Sequence, residues 1–296
     1  MKGIAIINPT AGGGRCGEQV HQALAEMRKR DLNLTPHFTT RPGEASDIAR
    51  DLWAKGERHF VAVGGDGTAY EVINGLFPLH GSERPVLGFL TLGTGNSFVR
   101  DHGIQSRDAA IEALIRQRKV QCDVIRVQYV GGVLHYINLL SIGFSARVAS
   151  LTNQRFKPFG DAGYAMAVVA SLIQHQHPLH PYAIEDGPMD RRPHTLVSFS
   201  NSRFTGGKMM MAPEADISDG HLDIIRINAI SRNRLLRAFP RIYKGTHVHL
   251  DVVESRLAQH VTFDLAGPVD VMVDGEVHHI QPTRLDVLPH ALEVIL

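Results

Sequence analysis

The chain has 296 residues, of which 43% are hydrophobic and 21% charged, a length that fits two packed domains and a composition that excludes disorder, collagen-like sequence and coiled coil. Lys and Arg (31) balance Asp and Glu (30) to a net charge of +1, which argues against a dedicated nucleic-acid binder. In chain order, Met1 and Lys2 run straight into a strand-like stretch at 3–7, without the apolar region and cleavage site of a signal peptide. Asn8-Pro9 ends that strand, the turn Gly12-Gly13-Gly14 follows, and Val20, Leu24 and Met27 mark a helix over 17–30. A strand at 34–38 precedes a helix capped by Ser46 or Asp47 and running through Lys55, with Ile48, Leu52 and Trp53 on one face. A strand at 59–63 leads through Gly64-Gly65 to a helical stripe of Ala69, Val72, Ile73 and Leu76. A strand at 86–90, glycines 93 and 95, and a helix over 106–119 complete the pattern. Strands alternating with helices predict βαβ units and a largely parallel, doubly wound sheet.

Beyond Cys122 the pattern changes. Runs at 123–129 and 134–140 flank a Gly131-Gly132 turn, and further strands are expected at 196–199, 222–227, 247–253, 260–265, 269–273 and 285–288. Only two helical stretches, 161–175 and 231–243, interrupt them, so this half reads as mainly antiparallel β, with 176–193 as a flexible connection. No run approaches the ~18 apolar residues that span a bilayer. The two cysteines, Cys16 and Cys122, lack CxxC spacing, which points to a reducing cytoplasm and no disulfide scaffold. His175, His177, His180, His278 and His279 form no HExxH pattern and read as surface or packing residues.

The strongest local signal is Val63-Gly64-Gly65-Asp66-Gly67-Thr68, placed between an apolar strand and an amphipathic helix. At the carboxyl end of a strand in a doubly wound sheet, such glycines admit a ligand close to the backbone, and the helix N-terminus favours an anion. An aspartate inside a phosphate cradle makes sense when a cation or a transferred proton is also present. The alternative is a tight strand–helix turn in which Asp66 is a cap. Asn8 to Gly14 and Leu92-Gly93-Thr94-Gly95-Asn96 are two more glycine turns after strands of the same half. Three such turns along one sheet edge favour nucleotide phosphates, although neither a Walker A motif nor GxGxxG is present.

These motifs resemble the diacylglycerol kinase catalytic-domain family, in particular its soluble bacterial lipid kinases. Asn8-Pro9-Thr10-Ala11-Gly12 resembles the first nucleotide loop, and Thr39 with Pro42-Gly43-Glu44-Ala45 the next turn. Gly64-Gly65-Asp66-Gly67-Thr68, followed by Glu71-Val72 and Asn74-Gly75, is similar to the family signature, and Leu92 to Asn96 to its third loop. Asn201, Gly206-Gly207 and Ala212 to Asp223 resemble a block that holds a structural magnesium, and Asp274-Gly275-Glu276 a late catalytic motif. Thr91 stands where the family often has proline, and Ser97 where it often has aspartate.

The resemblance implies an α/β nucleotide-binding domain (1–122, completed by a final strand at about 286–296), a β-rich lipid domain (123–285), and an active site in the cleft between them. It implies ATP held by Asn8, Pro9, Thr10, Ala11, Gly12, Thr39, Gly64, Gly65, Asp66, Gly67, Thr68, Ala69, Tyr70 and Thr94. A catalytic Mg²⁺ is expected on or near Asp66, with Glu276 as the base for a lipid hydroxyl and Asp274 beside it. Asp274-Gly275 on its own reads as a hairpin turn. A structural Mg²⁺ is expected at Asp216, Asp219 and His221, where spacing alone reads as a solvated acidic turn. The expected activity is transfer of the ATP γ-phosphate to a lipid hydroxyl such as that of diacylglycerol. A soluble-metabolite kinase of the NAD kinase type and a non-catalytic nucleotide- or lipid-binding regulator are the alternatives. Expected partners are a lipid substrate and a membrane surface touched transiently from the cytoplasm; in 231–245 the stripe Leu235, Phe239 and Ile242, surrounded by Arg232, Arg234, Arg237, Arg241 and Lys244, reads either as a membrane-surface segment or as a helix packed on the second domain with a solvated basic face. A homodimer stays open, and no nucleic acid is expected.

Overall fold

The computed structural model describes residues 2–77, 83–93, 96–151, 171 and 177–296. Thr94, Gly95 and the helix expected at 161–175, apart from residue 171, lie outside the described residues. The chain divides into two compact units. One comprises Met1–Val124, His135–Ile137 and Leu288–Leu296, and the other Ile125–Leu134 and Asn138–Val287.

The first unit is built on parallel strands. β1 (Lys2–Ile7) lies between β2 (Asn33–Phe38) and β3 (His59–Gly64), and β4 (Val86–Thr91) follows on β3. Nearly every residue of β1, β3 and β4 is buried, as expected of strands covered on both faces. The crossovers are α1 (Arg15–Lys29), α2 (Glu44–Ala54) and α3 (Asp66–Leu76), and α5 (Arg107–Arg116) follows the short α4 (Ser97–Arg100). α2 starts at Glu44, after Gly43 in a left-handed conformation, rather than at a Ser46 or Asp47 cap. Its buried stripe is Ala45, Ala49 and Trp53 rather than Ile48, Leu52 and Trp53. The reason lies on α3: a Cβ on Gly75 would meet the Ser46 carbonyl oxygen at 2.2 Å and Ala49 Cβ at 2.9 Å. The two helices approach so closely that only small side chains fit.

The second unit carries a six-stranded antiparallel sheet: β13 (Val253–Ala258), β12 (Leu222–Asn228), β9 (His194–Ser200), β7 (Leu139–Gly143), β15 (Val269–Val273) and β16 (Glu276–Ile280), in that order. β8 (Tyr182–Ile184) pairs with β14 (His260–Phe263), and β14 with the start of β17 (Pro282–Ile295). β17 ends in the first unit, parallel to β4 at Glu293 and Val294. The run at 134–140 is two strands, since β6 (Gly132–Tyr136) ends before β7 begins. The strand expected at 247–253 is a 3₁₀ turn, Thr246–His249, after left-handed Gly245, with buried His247 facing the Met211 carbonyl. The connection expected at 176–193 is structured over 177–193: Tyr182 and Asp190 exchange backbone hydrogen bonds, and Asp190 also faces Arg192 and buried Arg226. Among the described residues no helix is long and apolar enough to cross a membrane.

Candidate functional site

Three glycine turns meet at the carboxyl ends of β1, β3 and β4. Asn8 folds the first back on itself: its Oδ1 accepts from Thr10 N and Oγ1, and its carbonyl from Ala11 N. Gly12, Gly13 and Gly14 all have positive φ (65°, 71° and 94°), a conformation that disfavours any residue with a Cβ. Asn8 N in turn donates to the Val63 carbonyl, which ties this turn to β3. Thr39, at the end of β2, donates N–H and hydroxyl to the Ile7 carbonyl and is buried.

The second and third turns close on each other through backbone. The Gly64 carbonyl accepts from Leu92 N and Gly93 N. A Cβ on Gly93 would lie 2.7 Å from Gly65 N, one on Gly64 2.3 Å from Thr68 Oγ1, and one on Gly12 2.9 Å from the Leu92 oxygen. α3 starts at this junction; Thr68 N already donates to the Gly65 carbonyl, which leaves the N–H groups of Asp66 and Gly67 without an acceptor in the helix. Pro9 and Ala11 belong to the first turn and Gly67 to the start of α3, whereas Thr68, Ala69 and Tyr70 are buried in its first turns.

Asp66 does not project freely from this cradle. Both its carboxylate oxygens accept from Ser97 N, at 3.0 and 2.9 Å, so it caps α4 from the N-terminus of α3. Burial pushes its carboxyl pKa up, while the Ser97 N–H and hydroxyl and the Phe98 N–H pull it down, with a net upward shift. The remaining signature residues are architectural. Glu71 accepts from Gly43 N and Ala45 N and so caps α2 from α3. Asn74 exchanges hydrogen bonds with the backbone of His135, at 2.9 and 2.8 Å. Thr91 Oγ1 reaches the Ser106 carbonyl. Sequence reasoning noticed Ser97 only as a departure from pattern and missed what it does, which is to hold Asp66.

In the second unit Asp274 (φ 48°) and Gly275 (φ 93°) make the two-residue hairpin turn between β15 and β16. Asp274 is buried, and its Oδ1 accepts from Asn138 N and Leu139 N at 3.1 and 2.9 Å. The same Asn138 accepts from Asn201 N and Ser202 N through its carbonyl. Glu276 is the first residue of β16 and is exposed. The turn thus has one carboxylate turned inward and one outward.

Asp216 Oδ1 accepts from Ser218 N and Oγ, and Asp219 Oδ1 from His221 N. His221 Nδ1 lies 2.8 Å from the Asp219 carbonyl. Burial, then Asp219 and Glu214, push the nearby Asp223 up to about 7. Among the described residues no three His, Cys, Asp or Glu side chains gather as a metal would need. Asp216, Asp219 and His221 thus bond within their own turn.

Residues 2–127 match the family model described as the diacylglycerol kinase catalytic domain. Residues 138–296 match the model described as the YegS C-terminal NAD kinase beta sandwich-like domain. A diacylglycerol kinase of Mycobacterium tuberculosis is 32% identical, over 99% of this chain and 94% of its own length. One from Bacillus subtilis is 25% identical, over 100% and 97%. A Yersinia enterocolitica protein named "Probable lipid kinase YegS-like" is 26% identical, over 98% and 95%. Among solved structures, a Bacillus anthracis str. Sterne protein superposes with a TM-score of 0.81 at 23% identity, covering 99% of this chain and 94% of that one, a likeness of fold.

Proposed function

Since the chain belongs to the diacylglycerol kinase family of lipid kinases, we propose that it transfers the γ-phosphate of ATP to a hydroxyl of a lipid such as diacylglycerol. The observation that carries the donor half of this reading is the closure of three glycine turns on one another at the ends of β1, β3 and β4. That edge offers backbone N–H groups and a helix N-terminus to phosphate, and phosphoryl transfer depends on such positioning more than on covalent chemistry. Magnesium brought by the nucleotide would neutralise phosphate charge. Asp66 then acts as a positioning residue: through Ser97 it fixes the third turn against the second.

For the acceptor half, Glu276 is the proposed general base. Its exposed carboxylate takes the proton of the lipid hydroxyl as the oxygen attacks the γ-phosphorus and ADP leaves. Asp274 holds the hairpin that presents it, by anchoring the turn on Asn138 and Leu139.

The decisive experiment is transfer of labelled phosphate from ATP to a panel of diacylglycerol, monoacylglycerol, phosphatidylglycerol, ceramide, sphingosine and undecaprenol, with NAD as the soluble acceptor. Transfer to a lipid is expected, with Glu276→Gln slowing it at least about a hundredfold while calorimetric ATP binding persists. Transfer to NAD alone would make the chain a soluble-metabolite kinase. ATP binding without transfer to any acceptor would make it a regulator.

A further inference from the structure

Residues 224–250 contain no Asp or Glu, yet they hold six basic side chains: Arg226, Arg232, Arg234, Arg237, Arg241 and Lys244. In a chain with nearly equal numbers of acids and bases, these six make the segment locally net positive. Arg226 is buried beside Asp190 and Glu254. The other five lie on α6 (Arg232–Ala238) and the 3₁₀ turn Phe239–Lys244 that follows it at Pro240.

The rotation of this segment is fixed by what it buries. Leu235 and Ile242 enter the core of the second unit with Met209, Met211 and Val252, and Phe239 packs partly against them. The other side is left outside. Leu236 is 52% exposed and Tyr243 48%, and Arg232, Arg237, Pro240, Arg241 and Lys244 are exposed around them. Arg234 is paired with Asp251. Among the described residues no ion pair joins Arg232, Arg237, Arg241 or Lys244 to an acid.

We propose that this face docks the enzyme on a bilayer surface rich in anionic phospholipid, with the cations on lipid phosphates and Leu236 and Tyr243 entering the headgroup layer. Charge complementarity selects an anionic partner. The exposed leucine and tyrosine select a bilayer over another polyanion, because they gain only where an apolar layer lies beneath the charges, and tyrosine suits that boundary. The stripe Leu235, Phe239 and Ile242 serves the core, and Leu236 and Tyr243 are the large apolar side chains left outside. The proposal rests on the lipid-kinase reading for its physiological sense, since a diacylglycerol acceptor sits in a membrane.

The test is sedimentation of the full chain with phosphatidylcholine vesicles, with and without phosphatidylglycerol, at low and high salt. It uses the parent protein, the triple variant Arg237→Glu, Arg241→Glu, Lys244→Glu, and the pair Leu236→Ser, Tyr243→Ser, each checked for folding by circular dichroism. Parent binding should require phosphatidylglycerol and weaken with salt. The triple variant should lose at least about tenfold in partitioning, and the pair should bind several-fold more weakly at both salt levels. Both variants should keep turnover on detergent-dispersed diacylglycerol and lose it on vesicles. Unchanged vesicle binding in the triple variant would overturn the docking face. So would duplex DNA bound as tightly as anionic vesicles and indifferent to the Leu236 and Tyr243 change. Docking through this face without phosphorylation of any lipid would leave the surface standing and sink the kinase reading.

Discussion

One methyl group is enough to test how the nucleotide turns meet. A Cβ on Gly93 would lie within 3 Å of Gly65 N, Gly65 Cα and the Gly64 carbonyl carbon, all backbone, so no rotamer change relieves the contact. Gly93→Ala should therefore push the third turn off the second, and calorimetry should show at least a tenfold loss of ATP affinity in a folded protein, about 1.4 kcal/mol. Unchanged affinity would mean that the closure is irrelevant to the donor. Asp66 shows what a motif hides at this scale. Its place in the motif pointed to cation chemistry, with a cap as the alternative, and in the structure its carboxylate meets Ser97. His194 is a second residue whose environment decides its behaviour. Burial first, then His180 and Arg226, push its pKa down from 6.5 to about 4, and His180 is lowered in the same direction by burial. The folded state thus refuses a proton that the unfolded chain accepts below pH 6.5. Stability from this site is full above 6.5 and is lost as pH falls toward 4, at about 1.4 kcal/mol per pH unit. Urea midpoints measured across that window should fall steeply in the parent and much less in His194→Gln, even though the variant starts from a lower value at neutral pH. A parallel decline in both would remove His194 from the acid response.

At the scale of elements, periodicity found most strands and helices because their buried sides are continuous. β1, β3 and β4 are buried along almost their whole length, and α1 buries Val20 and Met27 as their spacing predicts. It failed where geometry, not hydrophobicity, set the contact. In α2 the buried positions are alanines because α3 arrives with Gly75, and a search for large apolar residues picks the wrong stripe. The 247–253 stretch alternates like a strand, but left-handed Gly245 turns it into 3₁₀. The candidate site was legible as loops and not as contacts: glycine spacing located the turns, while the partners of Glu71, Asn74 and Asp274 are backbone groups that no local pattern reveals. Those partners make a prediction. Asn74→Ala removes two hydrogen bonds to the His135 backbone, a segment distant in sequence, and should cost about 1–3 kcal/mol in chemical denaturation. Turnover of the folded fraction should stay within a few-fold of the parent. A loss of kcat without a loss of stability would give Asn74 a role at the reacting groups.

At the scale of the molecule, the two units share one strand. β17 pairs with β14 near Leu285 in the second unit and with β4 at Glu293 and Val294 in the first, so the sheet that carries the nucleotide turns is completed by the far end of the chain. Within the first unit Leu292, Val294 and Ile295 are almost fully buried and Ala291 nearly so. Burial of a Val, Leu or Ile side chain is worth about 1.5–3 kcal/mol, and three of them approach the whole stability of a typical domain, about 5–15 kcal/mol. Deleting residues 291–296 would also uncover the edge of β4 at Val86 and Leu87, the start of the strand whose far end carries the third turn. The truncated chain keeps every glycine of the three turns and every carboxylate of the candidate site. It should nevertheless lose ATP binding and show a first unit without a cooperative thermal transition, because the turns are held by the strands beneath them and not by their own sequence. Hydrogen exchange would localise the effect: protection should vanish from β1, β3 and β4 and persist in β9 and β12 of the antiparallel sheet. Retained protection in β4 together with normal ATP affinity would show that the parallel sheet stands without its last strand.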